Sequence, residues 1–215
     1  MELTVETLLA CYRQGVFPMA EARDDPALFL VDPTLRGVLP LERFHVPRRL
    51  LRTLRRSDLR IQVDTAFPAV LAACAEPRPN AADTWINAEI QALYGAAHAQ
   101  GHAHSVECWR ADRLVGGLYG VAIGGAFFGE SMFARERDAS KIALVALVAL
   151  LRRQGFALLD AQFWTPHLAQ FGAVEAPRAA FKRALRAALA KPARFPRAMA
   201  PLAAAQLVQE ITQIS

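Results

Sequence analysis

The sequence contains few cysteines, and their positions limit the chemistry of the protein. Cys11, Cys74 and Cys108 are odd in number, lie far apart and form no CxxC pair. This pattern argues against a disulfide framework and against a cysteine-based zinc site. We therefore expect free thiols in a reducing compartment, which predicts a cytoplasmic protein.

Hydrophobic runs long enough to cross a membrane are also missing from the sequence. The aliphatic run 142–151 is too short and is bracketed by Lys141 and Arg152. The uncharged stretch 114–129 contains six glycines in sixteen residues, which favours strands and turns. The N-terminus carries early acidic residues instead of a basic segment followed by an apolar one, so we predict neither a membrane span nor a secretory signal.

Lysine is scarce, whereas arginine is abundant and clustered. The chain has 22 arginines and 3 lysines, and its formal net charge is +5. Arginine clusters favour planar partners that bind in a bidentate way, such as phosphate groups, so a nucleic acid is a candidate partner. Codon composition is an alternative explanation of an alanine- and arginine-rich chain.

The hydrophobic spacing predicts a mixed α+β fold. Apolar residues at helical spacing predict helices over 4–14, 47–57, 65–76, 87–100, 138–154 and 177–191. Apolar runs and turn signals predict strands over 59–64, 103–110, 113–123, 126–133 and 157–162, the middle three as an antiparallel meander. Residues 19–46 read as an ordered loop with short extended pieces and residues 77–83 as a loop. The tail beyond Pro192 is rich in alanine and proline. We predict a small N-terminal domain over 1–58, with a basic helix, and a larger domain over 59–215.

Several short motifs occur in a fixed order along the chain. They are TWI at 84–86, GHAHSVECW at 101–109, GGLYG at 116–120, GESMF at 129–133, ASK at 139–141, LDAQ at 159–162 and FGA at 171–173. Tyr12 and the run GVFP at 15–18 precede them. Together they resemble the signature of the leucyl/phenylalanyl-tRNA–protein transferase family, and each motif alone would be weak.

The resemblance implies a function, partners and a fold. It implies a cytoplasmic, monomeric enzyme of two domains, the larger of which is similar to the N-acetyltransferase fold with a central, mostly antiparallel sheet. Such an enzyme takes Leu, Phe or, less readily, Met from aminoacyl-tRNA and attaches it to acceptor proteins that begin with Arg or Lys. The product enters N-degron degradation. Ester aminolysis is downhill and requires neither metal nor cofactor, so we expect none.

Three polar residues are the candidate catalytic groups. Asp160 and Gln162 lie two apart on a predicted strand, so both side chains are expected on one face, beside the incoming amine and the ester. Glu130 follows an apolar run, an unusual place for an acid unless it is paired or functional. The resemblance places all three at the substrate site. Without it, the alternatives are a hydrogen-bonded strand end for Asp160 and Gln162 and a solvated strand end for Glu130.

The resemblance also implies a pocket for the transferred side chain. Leu118, Leu147 and Leu151 match family positions that line it, and Met132 and Leu159 lie in two of the motifs. An unbranched or aromatic side chain fits such a pocket, whereas a β-branched one would crowd its neck. Judged from periodicity alone, these residues are hydrophobic core.

Aromatic and basic residues are candidates for contacts with tRNA. Trp85, Tyr94 and Tyr12 are predicted to hold the terminal adenosine, because an aromatic face stacks on a base. Arg48, Arg52, Arg55 and Arg56 fall on one stripe of the predicted helix 47–57 and are predicted to bind the acceptor stem through its phosphates. The alternatives are core aromatics and a solvated basic face.

The remaining features concern metal binding and departures from the family. His102 and His104 share a strand face but lack a third ligand at suitable spacing, so we expect structural roles. Met19 stands where the family commonly has Trp after Phe-Pro, and Ala134 stands where it has Ser.

Two other functions are consistent with parts of the sequence. An acetyl-CoA-dependent N-acetyltransferase would need a glycine-rich turn before the helix at 138, where the sequence reads ARER. A non-catalytic RNA-binding protein would use the arginine stripe alone.

Overall fold

The computed structural model describes residues 4–25, 27–77, 84–197 and 199–213, so most of the predicted loop 77–83 lies outside the described residues. The helices are α1 Val5–Gln14, α2 Arg48–Arg56, α3 Phe67–Cys74, α4 Ala88–Ala99, α5 Ala139–Arg153, α6 Pro166–Ala169, α7 Arg178–Leu189 and α8 Leu207–Gln213. The strands are β1 Phe17–Ala20, β2 Leu28–Val31, β3 Leu35–Val38, β4 Arg60–Val63, β5 Ala103–Arg110, β6 Arg113–Ile123, β7 Ala126–Ala134, β8 Leu158–Gln162, β9 Val174–Pro177 and β10 Leu202–Ala203.

Helix boundaries follow local capping chemistry. The Thr4 side chain accepts a hydrogen bond from the backbone of Thr7 at the start of α1, and Gly15 ends the helix with φ 82°. The Asn87 side chain caps α4 in the same way, by accepting from the backbone of Ile90. All six predicted helices are confirmed to within two residues at each end.

A large mixed sheet forms the centre of the molecule. Its strand order is β10-β4-β5-β6-β7-β8-β3-β9, and every pairing is antiparallel except that of β7 with β8. These two strands run parallel because α5 connects them as a crossover. The predicted α+β class, the mainly antiparallel sheet and the β5–β6–β7 meander are therefore confirmed.

One strand of the sheet comes from an unexpected part of the chain. We expected the sheet to begin near Leu59, but β3 lies between β8 and β9. Its sequence, LRGV, contains a charged residue and a glycine, so it shows no hydrophobic alternation. β3 is a strand of the large sheet, and Leu50 and Leu54 of α2 belong to the core on one face of that sheet. Residues before position 58 therefore contribute to both the sheet and its core. The domain boundary at 58 stays a prediction.

Elements at the C-terminal end were also missed. β9 and β10 are strands of four and two residues, too short for a periodic signal. The tail beyond Pro192 contains β10 and α8, and the side chains of Phe195 and Leu207 are buried in the core. The alanine- and proline-rich composition of this tail did not indicate these elements.

The sheet has a hydrophobic layer on each face. α2, α5 and α8 cover one face, together with sheet residues such as Val106 and Phe127. α1, α3, α4 and α7 cover the other, with residues such as Tyr119 and Phe128. Adjacent residues of one strand therefore enter different layers, as the pleat requires. Within the described residues, no helix is long and apolar enough to cross a membrane.

Candidate active site

A cavity opens where β7 and β8 separate. The two strands pair only from Ala126 with Leu158 to Phe128 with Asp160, although β7 continues to Ala134 and β8 to Gln162. A space of ≈ 430 Å³ lies beside the diverging ends. Its walls are mainly apolar with a few polar side chains, which is the usual composition of a small-molecule site.

The apolar wall contains four of the five residues predicted for the aminoacyl side chain. Leu118, Met132, Leu147 and Leu159 all line the cavity. Leu151 does not line it, because it lies one turn further along α5 and is fully buried in the core. Leu144, on the other side of Leu147 along the helix, contributes to the wall instead.

Glu130 forms the polar wall of the cavity. Its carboxylate accepts a hydrogen bond at Oε1 from Nε2 of Gln162 at 2.9 Å and at Oε2 from the Tyr94 hydroxyl at 3.1 Å. The hydroxyl of Tyr12 hydrogen-bonds that of Tyr94 and also interacts with Glu130. Residues from α1, α4, β7 and β8 therefore meet at one carboxylate.

Burial changes the acidity of this carboxylate. The pKa of Glu130 is raised to about 7, mainly by loss of solvation and in part by the negative charge of Asp160, while hydrogen bonds from Tyr12, Tyr94 and Gln162 oppose the rise. Burial also raises the pKa values of Tyr12 and Tyr94 well above their usual values, so both hydroxyls stay protonated. Glu130 is thus a group that changes charge near neutral pH.

Asp160 has a different environment, because it forms an ion pair with Arg36. Arg36 donates from Nε to Oδ1 at 2.9 Å and from Nη2 to Oδ2 at 2.6 Å. The exposed fractions of the two side chains are 1% and 0%. The guanidinium carbon of Arg36 lies 4.5 Å from the ring centre of Phe17 and 4.7 Å from that of Phe181. The bidentate contact with the carboxylate and the contacts of the cation with two aromatic rings both stabilise Arg36 in this position.

Asp160 and Gln162 are joined through the backbone and their side chains have separate partners. The Gln162 N–H donates to Oδ1 of Asp160 at 2.9 Å, whereas the Gln162 side chain donates to Glu130. Gln162 has φ 58°, a left-handed conformation that is uncommon for a residue other than glycine. Both residues are among those that line the cavity. Their carboxylate and amide do not converge on one point, because the strand ends in this turn.

The three aromatic candidates lie in two different environments. Trp85 is partly exposed and lines the cavity. Tyr12 and Tyr94 are fully buried: Tyr12 packs on Phe128 with ring centres 4.6 Å apart, and Tyr94 packs on Tyr119 at 5.4 Å. Neither tyrosine ring presents a face to a ligand, so the prediction that they stack on adenosine is contradicted by their burial.

The arginine stripe lies on the solvent face of α2. Arg48, Arg52, Arg55 and Arg56 are exposed, while Leu50 and Leu54 face the core. Among the described residues, none of the four has an acidic side chain within 4 Å. Four like charges without local partners indicate a surface that can bind an anion.

Surface grooves connect the cavity to α2. A second cavity shares Met132 and His167 with the first, and a third shares Arg135 and Ser140 with the second. The third is bounded by Arg49, which is adjacent to the stripe on α2. It contains Arg137 and Lys141 as well, alongside Glu136 and Asp138. Because neighbouring grooves share lining residues, they form a row from the cavity toward Arg49 of α2.

The two histidines of β5 and its start have different surroundings. His104 hydrogen-bonds Oδ2 of Asp64 through Nδ1 at 2.7 Å, and its ring packs against Phe195. His102 is partly buried and has no part in this contact. In the described part of the chain, no group of three potential metal ligands occurs.

Comparison with known proteins identifies the family. Residues 38–186 match the family model described as leucyl/phenylalanyl-tRNA protein transferase, and residues 1–34 match the one described as its N-terminal domain. The chain belongs to the leucyl/phenylalanyl-tRNA–protein transferase family. The first match alone covers more than half of the 215 residues.

Individual members of the leucyl/phenylalanyl-tRNA–protein transferase family agree with this. The transferase of Caulobacter vibrioides is 57% identical over 99% of this chain and 98% of its own length. That of Hyphomonas neptunium is 63% identical over 86% of this chain and 71% of its own, and that of Maricaulis maris is 50% identical over 98% and 97%. The chain is therefore an enzyme, an aminoacyltransferase.

Some residues of the site were not predicted from the sequence. Arg36 lies in a stretch that we read as an ordered loop with short extended pieces, and its partner Asp160 is 124 residues away, so no local pattern connects them. Leu144 was missed in favour of Leu151, because all the leucines of α5 share one apolar pattern. Tyr12 and Tyr94 were identified as important, but for a different contact.

Proposed function

We propose that the protein transfers Leu, Phe or, less readily, Met from aminoacyl-tRNA to the N-terminal Arg or Lys of acceptor proteins and thereby marks them for N-degron degradation. The observation that carries the proposal is the apolar cavity of ≈ 430 Å³ with Glu130 and Gln162 on one wall. Its volume suits a side chain with its ester, and its polar wall suits an amine. The family relationship supports the same substrates.

The proposal assigns each part of the cavity to one part of the substrates. Leu118, Leu144 and Leu147 hold the transferred side chain by burying its apolar surface. Because these walls are packed, the branched β-carbon of a side chain such as Ile would clash with them at the entrance of the pocket. Selection thus depends on shape, and discrimination of about 10–200-fold is typical for one misplaced methyl group.

The polar wall is assigned to the reacting groups. One amide hydrogen of Gln162 is bonded to Glu130. The other amide hydrogen can donate to the ester carbonyl, and the side-chain oxygen can accept a hydrogen bond from the α-amine of the acceptor protein. Holding both reactants in this geometry supplies much of the rate increase in an aminolysis. Glu130 is the carboxylate that faces the acceptor, and the resemblance supports a basic acceptor residue.

The tRNA is assigned to the grooves and the arginine stripe. Trp85 stacks on the terminal adenosine at the cavity mouth, and the grooves lead from there to α2. Contacts to phosphates fix position without reading sequence, so tRNAs carrying different amino acids can be accepted. We also propose that the larger domain is similar to the N-acetyltransferase fold and that the protein acts as a monomer. A central sheet covered by helices supports the proposed fold similarity.

A transfer assay tests the proposal. Purified protein is incubated with tRNA charged with radiolabelled Leu, Phe, Met or Ile and with peptides that differ only in beginning with Arg, Lys or Gly. We expect label on the Arg and Lys peptides from Leu- and Phe-tRNA, less from Met-tRNA, and little from Ile-tRNA. Gln162→Ala is the matched inactive variant. Equal labelling of the Gly peptide, or none with any peptide, contradicts the proposal.

A further inference from the structure

The site contains two buried carboxylates in contrasting surroundings. Asp160 is fully buried and Glu130 is 8% exposed. Asp160 has a cation beside it, whereas within the described residues Glu130 has none within 4 Å. When two neighbouring acids differ in this way, their environments assign them different tasks. The following argument rests on the proposed function.

Asp160 is occupied on both oxygens. Oδ1 accepts from Arg36 Nε and from the Gln162 backbone N–H, and Oδ2 accepts from Arg36 Nη2. Its side chain has no exposed surface. With both oxygens engaged and no exposed surface, this carboxylate cannot contact an incoming amine without giving up its ion pair with Arg36.

The bond to Gln162 gives Asp160 a positioning role. Gln162 is held at φ 58°, and conformations of this kind persist only when surrounding contacts impose them. The hydrogen bond from its N–H to Asp160 is one such contact, and Arg36 fixes Asp160 in turn. Arg36 is itself fixed by Phe17, Phe181 and the carbonyl oxygen of Gly15, to which Nη1 donates at 3.1 Å.

Glu130 keeps one position free for a ligand. A carboxylate offers about four acceptor positions, and at most three of them are taken here, by Gln162, by Tyr94 and by Tyr12, whose hydroxyl also bonds that of Tyr94. The side chain lines the cavity and is not fully shielded. An α-ammonium that enters the cavity can therefore reach the remaining position.

We infer that Arg36 and Asp160 are a positioning pair that fixes Gln162, and that Glu130 is the catalytic residue that takes a proton from the acceptor's α-ammonium. The neutral amine then forms the C–N bond with the ester carbonyl carbon. When the bond from that carbon to the ribose oxygen breaks, this oxygen takes the second proton from nitrogen. The amide keeps the third hydrogen, and Glu130 returns its proton to water.

The pH dependence of the chemical step distinguishes the two acids. Single-turnover rates at saturating acceptor peptide are measured between pH 6 and pH 8 for the wild type, Glu130→Gln and Asp160→Asn. The wild-type rate is expected to rise about tenfold, because a base that titrates near neutrality becomes available over this interval. Glu130→Gln loses this rise and is slower by about 100-fold or more. Asp160→Asn is slower but keeps the rise.

Other titratable groups are controlled in the same experiment. Tyr12, Tyr94 and Tyr119 face Glu130 and have pKa values raised by burial. His167 lines the cavity, and burial lowers its pKa. All of these groups and the acceptor's own amine are unchanged in Glu130→Gln, so any rise that they cause remains there. A rise that persists in Glu130→Gln and disappears in Asp160→Asn overturns the proposal.

Chemical rescue tests the positioning pair. Arg36→Ala is expected to lower kcat about 100-fold, with little change in KM for charged tRNA. The substitution leaves a space between Phe17 and Phe181 that guanidinium can fill, so low concentrations of guanidinium should raise kcat of this variant at least tenfold. Sodium chloride at equal ionic strength is the control for salt. Arg152→Ala removes a half-buried arginine that binds the Leu41 carbonyl outside the site, and it is expected to show neither loss nor rescue.

The outcomes separate this inference from the proposed function. If Arg36→Ala does not fold by circular dichroism, Arg36→Lys keeps the charge but loses the bidentate contact, and it should lower kcat without raising KM. Wild-type kcat in either folded variant overturns the positioning role. If the wild type transfers no amino acid, the proposed function fails. The pairing of Arg36 with Asp160 is then tested by urea unfolding of Arg36→Ala, Asp160→Ala and the double variant. If the losses in unfolding free energy of the two single variants add up to that of the double variant, the two residues do not act as a pair.

Discussion

Gln162 and Glu130 join the two strands that separate around the cavity: Nε2 of Gln162 donates to Oε1 of Glu130 at 2.9 Å, across 32 residues of sequence. The bond lies beyond the last paired residues of β7 and β8, Phe128 and Asp160. It therefore takes the place of backbone pairing at the point where the sheet opens. If Glu130 acts as we propose, stability and activity are coupled through the same carboxylate.

The charge of Glu130 should appear in the pH dependence of stability. The pKa of Glu130 is about 7 in the folded protein, against about 4.3 in an unfolded chain. A raised folded pKa means that the protonated acid stabilises the fold at low pH and that this contribution disappears as pH rises through 7. Relative to Glu130→Gln, the wild type should lose about 2–3 kcal/mol of unfolding free energy between pH 5 and pH 8.

Urea unfolding at several pH values measures this difference. Glu130→Gln removes the ionisation and keeps a polar group of nearly the same size, so the remaining acids titrate equally in both proteins. A constant difference between the two proteins across this range would show that Glu130 does not change its charge there.

The side-chain pocket should be distinguishable from the core by two neighbouring leucines. Leu147 and Leu151 are both buried on α5, but only Leu147 lines the cavity. Replacing either with Ala should cost about 2–5 kcal/mol of stability. Only Leu147→Ala enlarges the cavity, so it alone should raise the kcat/KM ratio for Phe-tRNA over Leu-tRNA, by about tenfold. Equal shifts in both variants would refute the assignment.

Trp85 should contribute to tRNA affinity through its ring. Trp85→Ala is expected to raise KM for charged tRNA by about 5–150-fold, which corresponds to about 1–3 kcal/mol for one stacked base. Trp85→Phe retains an aromatic face and should recover most of the affinity. Trp109, whose indole N–H donates to Glu107 away from the cavity, provides a control as Trp109→Phe. An unchanged KM in Trp85→Ala would remove it from the tRNA site.

The arginine stripe should determine the salt dependence of tRNA binding. Replacing Arg52 and Arg55 together with Ala should raise KM for charged tRNA and reduce the slope of log affinity against log salt by about 1–2, because each phosphate contact contributes about 0.7–0.9. Arg183 and Arg186 are exposed on α7 and supply a matched pair. Equal effects of the two pairs would indicate non-specific attraction.

Elements with a strong local pattern could be predicted from the sequence. α5 and the meander were predicted almost residue by residue, because long apolar helices and Gly-bounded strands are periodic signals. Glu130 was identified as an unusual acid at the end of an apolar strand. The motif around Asp160 and Gln162 identified the remaining polar wall of the cavity.

The parts that were missed depend on contacts between distant segments. β3 and its Arg36 have no periodic pattern, and only the partner Asp160 reveals why an arginine lies in a strand. The burial of Tyr12 and Tyr94 likewise arises because α1 and α4 both approach Glu130 from one side of the sheet. Whether Leu144 or Leu151 faces the cavity depends on where β7 and β8 part, which α5 alone does not encode.

The position of β3 constrains how the protein is made. During synthesis β3 cannot pair until β8 and β9, its neighbours on either side, have left the ribosome more than 100 residues later. Non-local pairing of this kind slows folding. Until then Arg36 has no anion beside it, so the nascent chain carries no assembled active centre, and removing residues 1–38 would open the sheet between β8 and β9 as well as deleting the N-terminal segment.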